Sequence, residues 1–113
     1  MIRTNLFAWI GCFAIVTSAP GVERTSSVIA PDTRWATQCY VQKSDQPGPV
    51  VMITGGVHGD EPAGAAAAEQ IRHWTIRRGT LVVVPRTNPP ALAAKTRLIP
   101  DVEKDLANLN RNF

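Results

Sequence analysis

Between Val50 and Gly64 the chain passes from an uninterrupted apolar run, Val50 to Ile53, through Thr54 into Gly55-Gly56-Val57-His58-Gly59-Asp60-Glu61-Pro62-Ala63-Gly64. Pro47-Gly48-Pro49 forces a turn just before the run, so the run reads as a short strand buried on both faces. Pro62 is compatible with a helix only in its first turn. After it, Ala63, Ala67, Ile71 and Trp74 recur at near-helical spacing, while Glu69, Arg72 and His73 face elsewhere. Gly79 closes that unit, and Leu81 to Val84 is another short apolar strand. Strand, helix, strand in this order predicts a parallel pair joined by a right-handed crossover, and hence an α/β fold.

The flanking segments constrain less. Trp35 to Val41 mixes aromatic and β-branched residues with polar ones and reads as a further strand that buries Cys39. Pro85 to Pro90 contains three prolines in six residues and must be a loop, since none fits a helix interior or a central strand. Ala91 to Lys95 reads as a short helix, and Val102 to Leu109 as helix or loop. Residues 20–33 mix Ser, Thr, Pro and charge without period and read as a leader or linker. The first 19 residues carry Arg3 as their only charge, then the apolar stretch Leu6 to Val16, then Thr17-Ser18-Ala19. That is the pattern of a secretory signal peptide. Its apolar core is too short for a stable membrane span, so an exported protein, periplasmic or secreted, is expected.

Composition excludes some partners. A net charge of +3, with acidic residues spread among the basic ones, is too weak a footprint for nucleic acid. Of the 12 basic residues nine are arginine, whose planar fork suits carboxylates. Arg77 and Arg78 fall where the helix before Gly79 would end and complement its dipole. Removal of the leading segment would take Cys12 with it and leave Cys39 alone, so no internal disulfide is expected.

The chemistry gathers at strand ends. In open α/β sheets binding sites form outside the carboxyl ends of the strands, where His58 and Glu61 fall. An H-x-x-E spacing across a glycine turn can bring an imidazole and a carboxylate, both zinc ligands, to one side. The spacing alone also allows a plainer account, in which Asp60 caps the helix, Glu61 favours its dipole and His58 is a loop residue. Asn88, beside two prolines, reads as a turn former, and His73 as a surface residue.

The stretch from Gly55 to Gly64, Pro85-Arg86-Thr87-Asn88-Pro89-Pro90-Ala91, Arg97, and Leu109-Asn110-Arg111-Asn112-Phe113, taken in this order, resembles the zinc carboxypeptidase superfamily. Within it the likeness is closest to the succinylglutamate desuccinylase and aspartoacylase branch. The resemblance implies that residues 34–113 are the amino-terminal part of a zinc-carboxypeptidase-like sheet with flanking helices, incomplete in this chain. It implies His58 and Glu61 as the first two zinc ligands and Arg97 as the group that polarises the scissile carbonyl and stabilises the oxyanion. Asn110 and Arg111 would hold the free carboxylate of a small-molecule or peptide substrate. The implied activity is zinc-dependent hydrolysis of an amide bond, by a deacylase or a metallocarboxypeptidase. Two departures accompany it. Asn108 stands where the family usually has Asp before Leu-Asn-Arg, a change expected to leave the implied roles untouched. The family's second histidine and its general-base glutamate lie beyond the Asn-Arg motif, so the chain by itself is expected to be inactive. The alternative is a non-catalytic exported module or gene remnant that keeps a metal or carboxylate half-site.

Overall fold

A computed structural model describes residues 21–112; the expected signal peptide lies outside them. Four strands form one sheet: β1 (Val22–Ile29), β2 (Thr37–Ser44), β3 (Val50–Thr54) and β4 (Thr80–Val84), in the order β1-β2-β4-β3. Helix α1 (Pro62–Ile71) links β3 to β4, helix α2 (Pro89–Ala94) follows, and a 3-10 turn, η1 (Leu109–Arg111), lies near the end. β3 and β4 are parallel with Val50 opposite Thr80, as the strand-helix-strand pattern requires. β4 pairs antiparallel with β2, so the sheet is mixed and the class is α/β.

β1 corrects one expectation. The segment expected to be a leader or linker pairs with β2 over its whole length, from Val22 opposite Ser44 to Ile29 opposite Thr37. Its centre, Glu23-Arg24-Thr25-Ser26-Ser27, shows almost no apolar alternation because it lies at a sheet edge. Backbone pairing with β2, which leaves no trace in side-chain polarity, holds it. β2 itself starts at Thr37 rather than Trp35, whose exposed ring is covered by the Arg34 guanidinium at 4.9 Å. Cys39, on β2, is a free, half-buried thiol, and that burial raises its pKa.

The core lies between α1 and the sheet. Ala68, Leu81 and Val83 form its centre, with Tyr40, Ile53, Ile71 and Ile76 packed against them. Full burial of a valine such as Val83 contributes roughly 1.5–3 kcal/mol. The helix presents Ala65 and Ala68 inward, while Ala63, Ala67 and Trp74 are exposed, contrary to the face expected from spacing. Close approach decides this: a side chain on Gly55 would strike the Gly64 carbonyl at 2.5 Å and Ala68 at 2.8 Å. α1 therefore sits almost on the backbone at the end of β3, and only its smallest residues fit there.

α1 also stops at Ile71 instead of running toward Gly79. Helix ends leave carbonyls that need partners, and here the sheet provides them. Gln42, buried on β2, donates to the carbonyl of the C-cap residue Arg72 at 2.7 Å, and beyond the helix Arg24 on β1 donates to Thr75 Oγ1 at 3.2 Å. Arg77 and Arg78 consequently lie in the loop before β4, where the Arg77 carbonyl accepts from Ser44 and Arg78 donates to the Pro47 carbonyl.

β3 departs most from expectation. It is an edge strand among the described residues, and Val50, Val51 and Met52 are 73%, 47% and 62% exposed rather than buried. A continuous apolar run suits a parallel strand covered on both faces. Ile53 meets the core under α1; the residues before it do not. No helix among the described residues is long and apolar enough to cross a membrane.

Candidate metal centre

The end of β3 is held by the end of β4. Gly55 donates to the Val84 carbonyl at 2.9 Å, Thr87 donates to the Gly55 carbonyl at 2.8 Å, and Asn88 donates to the Gly56 carbonyl at 3.1 Å. The parallel ladder thus continues past both strands into the two loops. Gly56 turns the chain at φ 68°, a conformation that L side chains rarely adopt. Asn88, 1% exposed, completes the clamp: its Nδ2 donates to the Val57 carbonyl at 2.9 Å, and its Oδ1 accepts from Ala91 at the start of α2. The turn former expected from sequence therefore also supports the loop that carries His58. Beyond it, Gly59 donates to the Thr96 carbonyl at 2.8 Å and packs against the Ala91 carbonyl so closely that no side chain fits.

This framework delivers His58, buried, to Glu61. His58 Nδ1 lies 3.3 Å from Glu61 Oε2. Glu61 occupies the N-cap position of α1, yet its side chain caps nothing. Its other oxygen, Oε1, accepts from Arg97 Nη1 at 2.5 Å. The N-cap is Glu61 rather than Asp60, and its side chain makes no capping bond; its two oxygens meet His58 and Arg97 instead. The His58 hydrogen bond, and then the Arg97 guanidinium, hold the Glu61 carboxyl below its ordinary pKa, so it is an anion over a wider pH range.

The second partner of His58 is Asn108, whose Oδ1 lies 3.2 Å from Nε2. The departure expected to be without consequence thus touches the central imidazole. Its signal in the sequence was its place just before Leu-Asn-Arg. Asn110 and Arg111 follow in η1 with both residues exposed, and His73 is exposed beyond the end of α1. The structure therefore brings together His58, Glu61, Arg97 and Asn108, and leaves Asn110 and Arg111 on the adjoining turn.

His58 and Glu61 line an open cavity of about 340 Å³ with Thr54, Gly55, Gly56 and Gly64. A larger groove of about 870 Å³, between α1 and α2, contains neither residue. The donor set fits zinc. Ligands about 2.0–2.2 Å from a tetrahedral ion stand about 3.4 Å apart, close to the observed 3.3 Å between Nδ1 and Oε2. Among the described residues, no third histidine, cysteine, aspartate or glutamate completes the set.

Residues 47–113 match the succinylglutamate desuccinylase/aspartoacylase catalytic domain. The chain belongs to this family. Over 69 residues, 58% of this chain, it is 39% identical to the N-alpha-acetyl-L-2,4-diaminobutyric acid deacetylase of Halomonas elongata. An aspartoacylase family protein from Mesorhizobium loti superposes with a TM-score of 0.66 over 94% of the chain, at 29% identity. An ectoine utilization protein from Ruegeria pomeroyi, solved with product bound, gives a TM-score of 0.60 over 89% of the chain, at 31% identity. The chain spans 19% of the length of the deacetylase and 34% and 32% of the two solved structures. Within the desuccinylase/aspartoacylase family it corresponds to part of the catalytic domain. The glycine loop, the Asn88 clamp and the His58–Glu61 pair all fall inside the matched residues.

Proposed function

We propose that this chain is the amino-terminal part of an exported, zinc-dependent amide hydrolase, a deacylase acting on a small acylated amino acid that bears a free carboxylate. The observation that carries the reading is the 3.3 Å approach of His58 Nδ1 to Glu61 Oε2, with the glutamate side chain making no capping bond to the helix that follows it. Family membership and the deacetylase relative support the deacylase class over a carboxypeptidase.

His58 and Glu61 would hold the metal. Zinc so placed supplies a Lewis acid that polarises a carbonyl and acidifies water. Arg97, fixed against Glu61, keeps further guanidinium donors beside the site for the oxygen that gains charge during hydrolysis. Asn110 and Arg111, exposed on η1, would receive the substrate carboxylate, which a guanidinium fork can bind through two parallel bonds. Two protein ligands hold zinc less firmly than three, so the described residues alone are proposed to bind zinc weakly and to catalyse little or nothing.

Zinc titration of the full chain against His58→Ala tests the reading. Binding that weakens at least tenfold in the variant supports it. Equal binding by both would leave a non-catalytic module that keeps only the shape of the site.

A further inference from the structure

At the opposite end of α1 from the metal centre, four side chains of β1 and β2 stand together on the helix-covered face of the sheet. Arg24 lies directly opposite Gln42 and Ser26 opposite Tyr40, so all four share the face on which Tyr40 packs against the core. Arg72 and His73, just past the end of α1, form the other wall, and the six residues line a cavity of about 230 Å³. The ten residues of α1, at about 1.5 Å each, separate it from Glu61 by about 15 Å.

Gln42 is 3% exposed, and its Nε2 donates to the Arg72 carbonyl at 2.7 Å. A carbonyl can only accept, so this bond fixes which end of the amide is oxygen. That oxygen, Oε1, is buried without a hydrogen-bond partner among the described residues. An unpaired buried acceptor is unfavourable and favours a group that brings a proton to it. The charged groups of the wall are all basic. Among the described residues no carboxylate lines the cavity, and Glu69, which pairs with Arg72, lies outside it. Arg72 is held over the Tyr40 ring at 4.4 Å and gives Nε and Nη2 to Glu69. Arg24 gives only Nη2, at 3.2 Å to Thr75 Oγ1 and 3.5 Å to the Trp74 carbonyl. Both arginines keep further N–H donors, and the long bonds of Arg24 are easily exchanged. The carboxyl end of α1, which favours positive charge, meets the same cavity.

Guanidinium donors beside a buried acceptor and a helix carboxyl end suit a zwitterion. We propose that this cavity binds a free α-amino acid. Arg24 turns from Thr75 to the ligand carboxylate, which Arg72 also meets, and that turn opens Gln42 Oε1 to the ligand ammonium. An N-acylated amino acid binds less well, because its amide nitrogen carries no charge for the helix end to favour. A free amino acid is the class of product that the proposed deacylation releases; that link rests on the reading above, whereas the binding does not.

The test is titration of the full chain, zinc-free and zinc-loaded, with L-alanine, N-acetyl-L-alanine and inorganic phosphate, followed by NMR of the Gln42 side-chain amide and the Arg24 Nε–H. L-alanine is expected to shift both signals and to bind about tenfold or more tightly than the other two compounds, equally with and without zinc. Gln42→Met and Arg24→Met each weaken L-alanine by about tenfold or more. Should Gln42→Met fail to fold for want of its bond to Arg72, Arg24→Met, at a half-buried edge position, still decides. The proposal is overturned if L-alanine moves neither signal, if either other compound binds as tightly, or if a folded variant keeps wild-type affinity. Binding of L-alanine that requires zinc would place the amino acid at the metal centre and overturn this site while the zinc reading stands. A chain that binds L-alanine but not zinc would keep this site and lose the zinc reading.

Discussion

The side-chain amide of Asn88 donates to the Val57 carbonyl at 2.9 Å, joining the loop after β4 to the loop that presents His58. The two residues are 31 positions apart, and the bond exists only because β3 and β4 are parallel and end at the same level. The same side chain accepts from Ala91, so one buried amide serves both as helix cap and as strut for the site.

Asn88→Ala leaves the Val57 carbonyl without this donor and α2 without its cap. Removal of one partner of a buried hydrogen bond costs about 1–3 kcal/mol, and that loss is expected as a lower urea midpoint. Asn110→Ala, at an exposed position, is expected to stay within about 0.5 kcal/mol of wild type.

Gly59→Ala drives a methyl group into the Ala91 carbonyl, which is backbone and cannot rotate away. Overpacking of this kind typically costs about 1–3 kcal/mol, and here the strain falls on the segment between His58 and Glu61. Thermal unfolding is expected to show the loss. Gly64→Ala, whose added carbon meets nothing closer than 3.8 Å, is the contrasting substitution and is expected to be tolerated.

Glu61 provides a pH test. Its carboxyl is held below the ordinary value of 4.5, first by His58 and then by Arg97. A depressed carboxylate stabilises the fold above its unfolded pKa, and that contribution disappears as pH falls through the folded value. Carbon NMR of the zinc-free chain is expected to give a Glu61 midpoint below 4.5. His58→Ala raises that midpoint toward the ordinary value more than Arg97→Ala does. A midpoint unmoved by either substitution would contradict the arrangement described above.

β3 exposes Val50, Val51 and Met52 at a sheet edge, the kind of strand to which other chains add. The chain alone is expected to self-associate as its concentration rises. Met52→Lys places a charge on that edge and is expected to suppress the association. Light scattering across a concentration series distinguishes the two proteins.

Much of this was legible because certain residues force their local geometry whatever surrounds them. Glycines after an apolar run announce a turn at the end of β3, Pro62 can enter a helix only at its start, and Pro85 ends β4, although Pro89 and Pro90, expected in the loop, form the first turn of α2, where proline is also tolerated. From these alone the strand-helix-strand unit, the α/β class and the position of His58 and Glu61 at a strand end could be read. Tertiary structure decided what local chemistry leaves open. β1 is polar and formed by backbone pairing that side chains do not encode, and α1 ends where Gln42 reaches the carbonyl of its C-cap residue, Arg72, from another strand. The inner face of α1 was set by how closely Gly55 lets the helix approach. Whether Glu61 caps a helix or faces His58, and whether Asn108 touches the site at all, depends on contacts spanning 36 and 50 positions. Such contacts form when packing brings distant segments together, and no local pattern of residues records them.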